Sequence, residues 1–326
     1  MSSRLESRAS DRIATSSGGK NRSTRWHKLR RDIWRDRYLF LMIAPVVAYY
    51  ILFHYVPMYG ATIAFKEFTP GKGIFGSPWV GFENFQTFFN SFYFERIVRN
   101  TILLSLYTLL WGFPVPIIFA LLLNELRNRA FKRSVQTISY LPHFISVVVV
   151  AGMIVKFLSP NNGVFNKMLG TIGVGPIDFL SKPEWFRTIF VTSEIWQGFG
   201  WGAIIYLAAL AGIDPSLYEA SDVDGATRWQ KMLFVTLPSL VPVMVILLIL
   251  NCGNLMVVGF EKVLLIYSPS TYETSDVIQT YIYRRGIIQA DYSLAAAIGL
   301  FNSTINLILL VAVNRLARRF SETSLW

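Results

Sequence analysis

Residues 232–260 read MLFVTLPSLVPVMVILLILNCGNLMVVGF, twenty-nine residues without one Asp, Glu, Lys or Arg. An α-helix rises about 1.5 Å per residue, so about 20 apolar residues cross the hydrocarbon of a bilayer. This run is long enough. It is also apolar on every side, unlike the half-wet helix of a soluble domain. Working outward, five further runs have the same character: 38–56, 101–123, 135–155, 188–212 and 292–313. Glu194 is the one charged residue in all six. The expected fold is an all-α polytopic membrane protein with six transmembrane helices. A membrane β-barrel would instead alternate over segments of about ten residues.

Composition agrees. Of 326 residues, 53% are hydrophobic and 16% charged, against roughly 25% charged in soluble domains. Cys252 is the sole cysteine, so no intramolecular disulfide forms, and three histidines leave few soft ligands for a metal site. The net charge of +11 could serve nucleic acid or a membrane surface, and its placement decides between them. Segments 1–37, 124–134, 213–231 and 314–326 carry 20 of the 31 basic residues, while the longer alternate segments 57–100, 156–187 and 261–291 carry 11. Basic loops stay inside, so both termini are expected in the cytoplasm of a bacterial cell, with the chain multi-pass in its inner membrane. No folded soluble module is left to bind nucleic acid.

Three parts are expected: a basic cytoplasmic segment 1–37, a six-span domain 38–313 with its key loop at 213–231, and a cytoplasmic tail 314–326. No small-residue cleavage site follows the first span, so no cleaved signal is expected. Trp26, Leu29 and Ile33 lie at helical spacing among Lys28, Arg30, Arg31 and Arg35. They read as a short amphipathic helix on anionic membrane lipid, or as a solvated basic tail. The loop 57–100, rich in Gly, Pro and aromatics, is expected to pack as an ordered outer cap. Loops 156–187 and 261–291 are also placed outside. Pro142, Pro238 and Pro242 are expected to kink their spans.

The loop before the quoted run runs Asp214-Pro215-Ser216-Leu217-Tyr218-Glu219-Ala220-Ser221-Asp222-Val223-Asp224-Gly225-Ala226-Thr227-Arg228-Trp229-Gln230-Lys231. Asp214 is a good N-cap, with Pro215 at the first helical position. Leu217, Ala220 and Val223 fall near one face. Gly225 permits a sharp turn, and a second helix from about Ala226 runs into the fifth span. The loop reads as a short helix bent at a glycine and tied to a long kinked span, or as an ordinary amphipathic connector.

Glu219-Ala220-Ser221, then Gly225 three residues on, then Val235-Thr236-Leu237-Pro238 resembles the EAA loop of ABC importer membrane subunits. The departures are Ser221 for Ala and Val235 for Ile. Residues 40–89 with Pro45, Tyr49-Tyr50, 53–60, 63–66 and 79–81 are similar to carbohydrate permeases, closest to the subgroup for pectin-, xylan- and alginate-type oligosaccharides. The resemblance covers nearly the whole chain from about Trp34. It implies a type I importer permease fold whose short helix couples to an ATPase: Glu219 in polar contact, Leu217, Tyr218 and Ala220 in a groove of the ATPase, Ser221 and Asp224 beside them, Gly225 as the hinge, and Leu237 and Pro238 at the base of the fifth span. It also implies a second permease subunit, a cytoplasmic ATPase dimer and an extracytoplasmic solute-binding protein. ATP and magnesium would sit on the ATPase, with no cofactor on this chain. Gly18-Gly19-Lys20-Asn21 lacks the spacing and hydroxyl of a phosphate loop.

Polar groups at membrane depth usually face the interior. Glu194, Gln197 and Trp201 share a face of the fourth span, Asn251 and Asn254 one of the fifth, and Asn302 and Asn306 one of the sixth. With Trp196 or Trp201 as an aromatic platform, Glu194, Gln197, Asn251, Asn254 and Asn302 are candidates for a sugar path. The alternative is hydrogen bonding between helices. Gly198, Gly200 and Gly202 are expected to admit a close neighbouring helix or to form a gate. His54 and His143 read as packing residues, and no catalytic constellation appears. Rival readings are an ABC permease for another solute such as glycerol phosphate, a stand-alone secondary transporter, and a membrane enzyme, against which the outer loops offer no clustered acids.

Overall fold

The structure, a computed structural model, describes residues 34–320; the amphipathic helix expected around Trp26–Ile33 lies outside them. The chain divides into two compact units, one ending at Gly60 and the other beginning at Ala61. In the first, α1 (Arg37–Tyr50) continues through a π-turn at Ile51–Tyr55, and no side chain is buried. Tyr49, Tyr50, Phe53 and His54 form a ladder of ring contacts along it.

The second unit is helical. Its main elements are α2 (Phe94–Gly112), α3 (Pro114–Glu125), α4 (Arg129–Tyr140), α5 (Val147–Leu158), α6 (Pro183–Ala211), α7 (Pro215–Val223), α8 (Arg228–Lys231), α9 (Leu237–Gly253), α10 (Phe260–Ile266), α11 (Ile278–Tyr283) and α12 (Tyr292–Phe320). Among the described residues, four stretches are long and apolar enough to cross a membrane: Arg37–Phe65, Phe94–Glu125, Arg228–Gly253 and Tyr292–Arg318. Two bent pairs bring the number to six, so the chain is a multi-pass membrane protein.

Helix α6 is the centre of the bundle and packs on α2, α3 and α4. One apolar cluster joins Ile117 and Ala120 of α3, Ala203, Tyr206 and Leu210 of α6, and Leu240 of α9. A second joins Leu104, Phe186, Phe190 and Val263. The glycines of α6 divide their roles. A Cβ at Gly200 would fall 2.1 Å from the Ser139 carbonyl oxygen, and one at Gly202 3.2 Å from Pro116. Those two positions let α4 and α3 approach; Gly198 has no atom that close.

Three expected boundaries are corrected. The third span is not one helix over 135–155: α4 begins at Arg129, capped by Asn128, and the chain bends 97° between Phe144 and Val147. Pro142 removes a helical donor and Ser146 caps α5, accepting from the Val149 amide. The fifth span stops at Gly253 rather than running to Phe260, because Gly253 and Asn254 end the helix. The sixth continues to Phe320, so the first residues of the expected tail are helical.

The loop after residue 60 is ordered, as its composition predicts. Lys66 pairs with Trp79 in a short antiparallel bridge, donates to the Ile74 carbonyl at 2.6 Å, and lies 4.7 Å from the Trp79 ring centre. The Phe68 amide donates to Ser293 Oγ at 2.8 Å, tying this loop to the start of α12.

Candidate functional site

The segment after α6 turns sharply: α6 and α7 meet at 71°. Asp214 caps α7 by accepting from the Ser216 amide at 2.9 Å. That bond holds the Asp214 carboxyl below its ordinary pKa, so the cap stays charged until the pH falls well into the acid range. At the far end Gly225 sits at φ +74°. The Ala226 amide donates to Ser221 O at 2.9 Å and the Gly225 amide to Asp222 O at 3.1 Å. This pair of bonds closes a helix on a left-handed glycine. The next helix opens at once with a capping box: the Gln230 amide donates to Thr227 Oγ1, and the Thr227 amide to Gln230 Oε1 at 2.7 Å.

The expected coupling residues separate into two groups. Leu217, Glu219, Ala220 and Asp224 are exposed, and Leu217 keeps 48% of its surface open. Tyr218 departs from expectation. It is half-buried, and its hydroxyl lies 3.0 Å from Thr236 Oγ1 at the base of α9. Ser221 Oγ donates to the Tyr218 carbonyl. Leu237 packs with the Met232–Leu240 cluster and Pro238 is exposed beside it. Val223, 89% exposed, and Trp229, 66% exposed, add apolar surface. Sequence reasoning missed Trp229, although a tryptophan in a polar loop was a visible signal.

A cavity of about 410 Å³ lies between α2, α3, α6 and the end of α9. It brings together Glu194, Asn251 and Asn254 with Ser105, Thr108 and Tyr206. The Ser105 and Thr108 hydroxyl oxygens are buried without a hydrogen-bond partner. Asn251 and Asn254 turn their amide nitrogens back to the Leu247 and Leu250 carbonyls. The other candidates lie elsewhere. Trp201 stacks on His143 with centroids 4.6 Å apart and planes 3° off parallel. Asn302 is buried in α12 with its Oδ1 unpartnered. Gln197 donates to the Ile145 carbonyl at 2.9 Å, where the third span breaks.

Lys262 was placed in a loop by the sequence pattern, yet it is 2% exposed. Its Nζ pairs with Glu194 at 2.6 Å and donates to Gln197 Oε1 at 2.9 Å. The early end of α9 explains this: α10 folds back into the bundle and carries Lys262 to α6. The Glu194 charge in the cavity wall is thus neutralised.

Residues 112–322, including the α6–α9 elbow, match the family of binding-protein-dependent transport system inner membrane components. The chain belongs to that family. This permease is 42% identical over 90% of its length to the polygalacturonan/rhamnogalacturonan transport system permease protein YteP of Bacillus subtilis (strain 168), covering 91% of that protein. It is 41% identical to protein LplB of the same organism, over 90% of this chain and 92% of that one. The permease fold is similar to that of a bacterial ABC transporter involved in the import of the acidic polysaccharide alginate, with TM-score 0.85 and 46% identity over 90% of this chain and 99% of that chain. A second structure of equal TM-score and identity is an alginate ABC transporter in complex with an alginate pentasaccharide-bound periplasmic protein; it covers 91% of this chain and 100% of that one. The family comprises ABC importer permeases, which transport rather than catalyse.

Proposed function

We propose that this chain is one of two membrane subunits of an ATP-driven importer of oligosaccharides released from acidic plant or algal polysaccharides. An extracytoplasmic binding protein delivers the cargo, and a cytoplasmic ATPase dimer, which binds the ATP and magnesium, drives the cycle. The observation that carries the reading is the α6–α7–Gly225–α8 elbow. It presents Leu217, Glu219 and Val223 outward on a nine-residue helix held at 71° to a span. An exposed apolar edge beside a carboxylate fits a groove on a partner. Both termini and this elbow lie on the cytoplasmic side, following the basic residues.

The cavity is the solute path in this subunit. Its hydroxyls and amides suit sugar hydroxyl groups, and Lys262 cancels the charge of Glu194, so a uronate meets no net repulsion there. Similarity to permeases named for polygalacturonan and to alginate importers supports this cargo class.

The test is reconstitution. The chain is copurified with its ATPase, second permease and binding protein, and ATP turnover and uptake are measured with candidate oligosaccharides. Stimulation of both by an acidic oligosaccharide is expected. Uptake by the isolated chain on an ion gradient would overturn the reading. Glu219→Lys should leave the chain in the membrane and lower ATP-driven uptake at least about tenfold, the size of effect expected when a buried interface meets a misplaced charge.

A further inference from the structure

We infer that Gly225 is a fixed corner rather than a hinge: the coupling segment is welded to the base of α9, so the two move as one body. Tyr218, Thr236, Asp222 and Lys231 are the positioning residues of this weld. The inference rests on the reading of α7 as the ATPase-contacting helix.

A hinge needs arms free to move against each other, and here bonds cross the corner at three separated places. At the corner itself, the paired backbone bonds to Ser221 O and Asp222 O hold Gly225 in one well. Further out, Lys231 Nζ forms an ion pair with Asp222. At the greatest reach, the Tyr218 hydroxyl meets Thr236 Oγ1 at 3.0 Å. Thr236 Oγ1 also donates to the Lys231 carbonyl at 3.3 Å. A hydroxyl has one proton, so Tyr218 donates to Thr236. Three constraints at increasing reach from the corner hold the two arms against each other.

The far side of the weld is anchored as well. Thr236 and Met232 are buried. They belong to a π-turn, Met232–Thr236, in which the Leu237 amide reaches back to Met232 O. Such widened turns are frequent at functional sites. Met232 and Leu240 then pack in the cluster with Tyr206 and Leu210.

The junction with α6 is different. Among the described residues, no side-chain hydrogen bond or ion pair joins α7 to α6. The link is the backbone of Gly212, Ile213 and Asp214, with turn bonds of 3.1 and 3.4 Å, and the Ile213 side chain packs on the cluster of Leu210, Met232 and Leu240. A push on α7 therefore reaches the base of α9 through the weld. From Thr236 to Asn251, α9 spans about 22 Å at 1.5 Å per residue. Asn251 stands in the cavity wall, so the welded rod runs from the ATPase contact to the solute path.

The experiment uses the assembled complex in lipid, with Cys252 replaced by Ala. Spin labels at Ser216 and Val241 report α7 against α9. Both positions are exposed. Between nucleotide-free and ATP-trapped states, this distance should stay constant. A changing distance overturns the weld. In parallel, the Tyr218→Phe/Asp222→Asn double variant should keep its ATPase partner and its stimulated ATP turnover, while solute moved per ATP falls about fivefold, as the loss of the Tyr218 hydrogen bond implies, the exposed ion pair adding little. Restoring the pair in reversed order, Asp222→Lys with Lys231→Asp on native Tyr218, should recover the ratio. An unchanged ratio in the double variant also refutes the weld. If instead a chain that keeps the weld residues and carries Leu217→Cys shows no crosslink to the ATPase, the reading of α7 itself fails, and the weld's role with it.

Discussion

Two polar regions of this membrane protein are built in opposite ways. The elbow 214–236 is closed by bonds between residues no more than 18 apart, most of them exposed. The other region centres on Asp276, whose carboxylate has no exposure at all. Arg284 grips it as a fork, Nη1 to Oδ1 at 2.8 Å and Nη2 to Oδ2 at 2.7 Å. Arg96 adds 3.1 Å to Oδ2 from 180 residues away, and Thr280 donates to Oδ1. Asn100 holds the Glu273 and Asp276 carbonyls and accepts from Arg187. Burial works against the charged form of Arg284, yet the Asp276 carboxylate outweighs it and raises the guanidinium pKa. The contrast is one of division of labour. The elbow is a local device that can be displaced as a unit, while the Asp276 knot stitches α2, α6 and the chain between α10 and α11 into a frame that does not move apart cheaply.

That contrast predicts a ranking of losses. Asp276→Asn leaves two guanidinium groups facing a neutral amide at a dry site and should cost about 3–5 kcal/mol, the range for a broken buried pair. Thermal unfolding in detergent measures it, and a loss under about 1 kcal/mol would erase the distinction between knot and elbow. Lys262→Met comes next, at about 3 kcal/mol, since Glu194 keeps a third of its surface open to the cavity. Its unfolding should also show the α10 segment loosening first, readable by hydrogen exchange at Val263 and Ile266. Gly225→Ala meets no neighbouring atom within 4 Å. It pays only for φ +74°, about 1–2 kcal/mol, detectable as a modest drop in melting temperature. Asp222→Asn is the smallest: its side chain is 65% exposed, and exposed pairs contribute about 0–1 kcal/mol. A large global destabilisation from that change would mean the elbow belongs to the frame after all.

Legibility followed the same division. The elbow was readable because its devices are short-range: Asp214-Pro215 to start α7, Gly225 to end it, and a helix that opens just after the glycine and runs through Leu237-Pro238 into the fifth span. Even the capping box, Thr227 to Gln230, lay open in the sequence and was overlooked. Glu194, Asn251 and Asn254 were also singled out together, because a polar residue in an apolar run is conspicuous whatever it touches. The failures were of two kinds. Gly253 and Asn254 were read through as span when they are helix terminators, and that hid the return of α10. Tyr218 was placed in the ATPase groove by the resemblance alone, and a motif carried over does not show that the chain's own Thr236 lies within reach of that hydroxyl.

The sequence alone determined that this is a helical membrane protein with a bent segment between its fourth and fifth spans, since hydropathy, charge and turn chemistry act within a few residues of one another. Only the tertiary structure decided that Lys262 neutralises Glu194, that Asp276 is held by Arg96 and Arg284, and that the 97° break in the third span is met by Gln197. Arg284 aside, which is eight residues from Asp276, those partners are brought together by packing across 52 to 180 residues. The charge on a side chain announces that it needs a partner in a dry interior, and says nothing about where along the chain that partner lies.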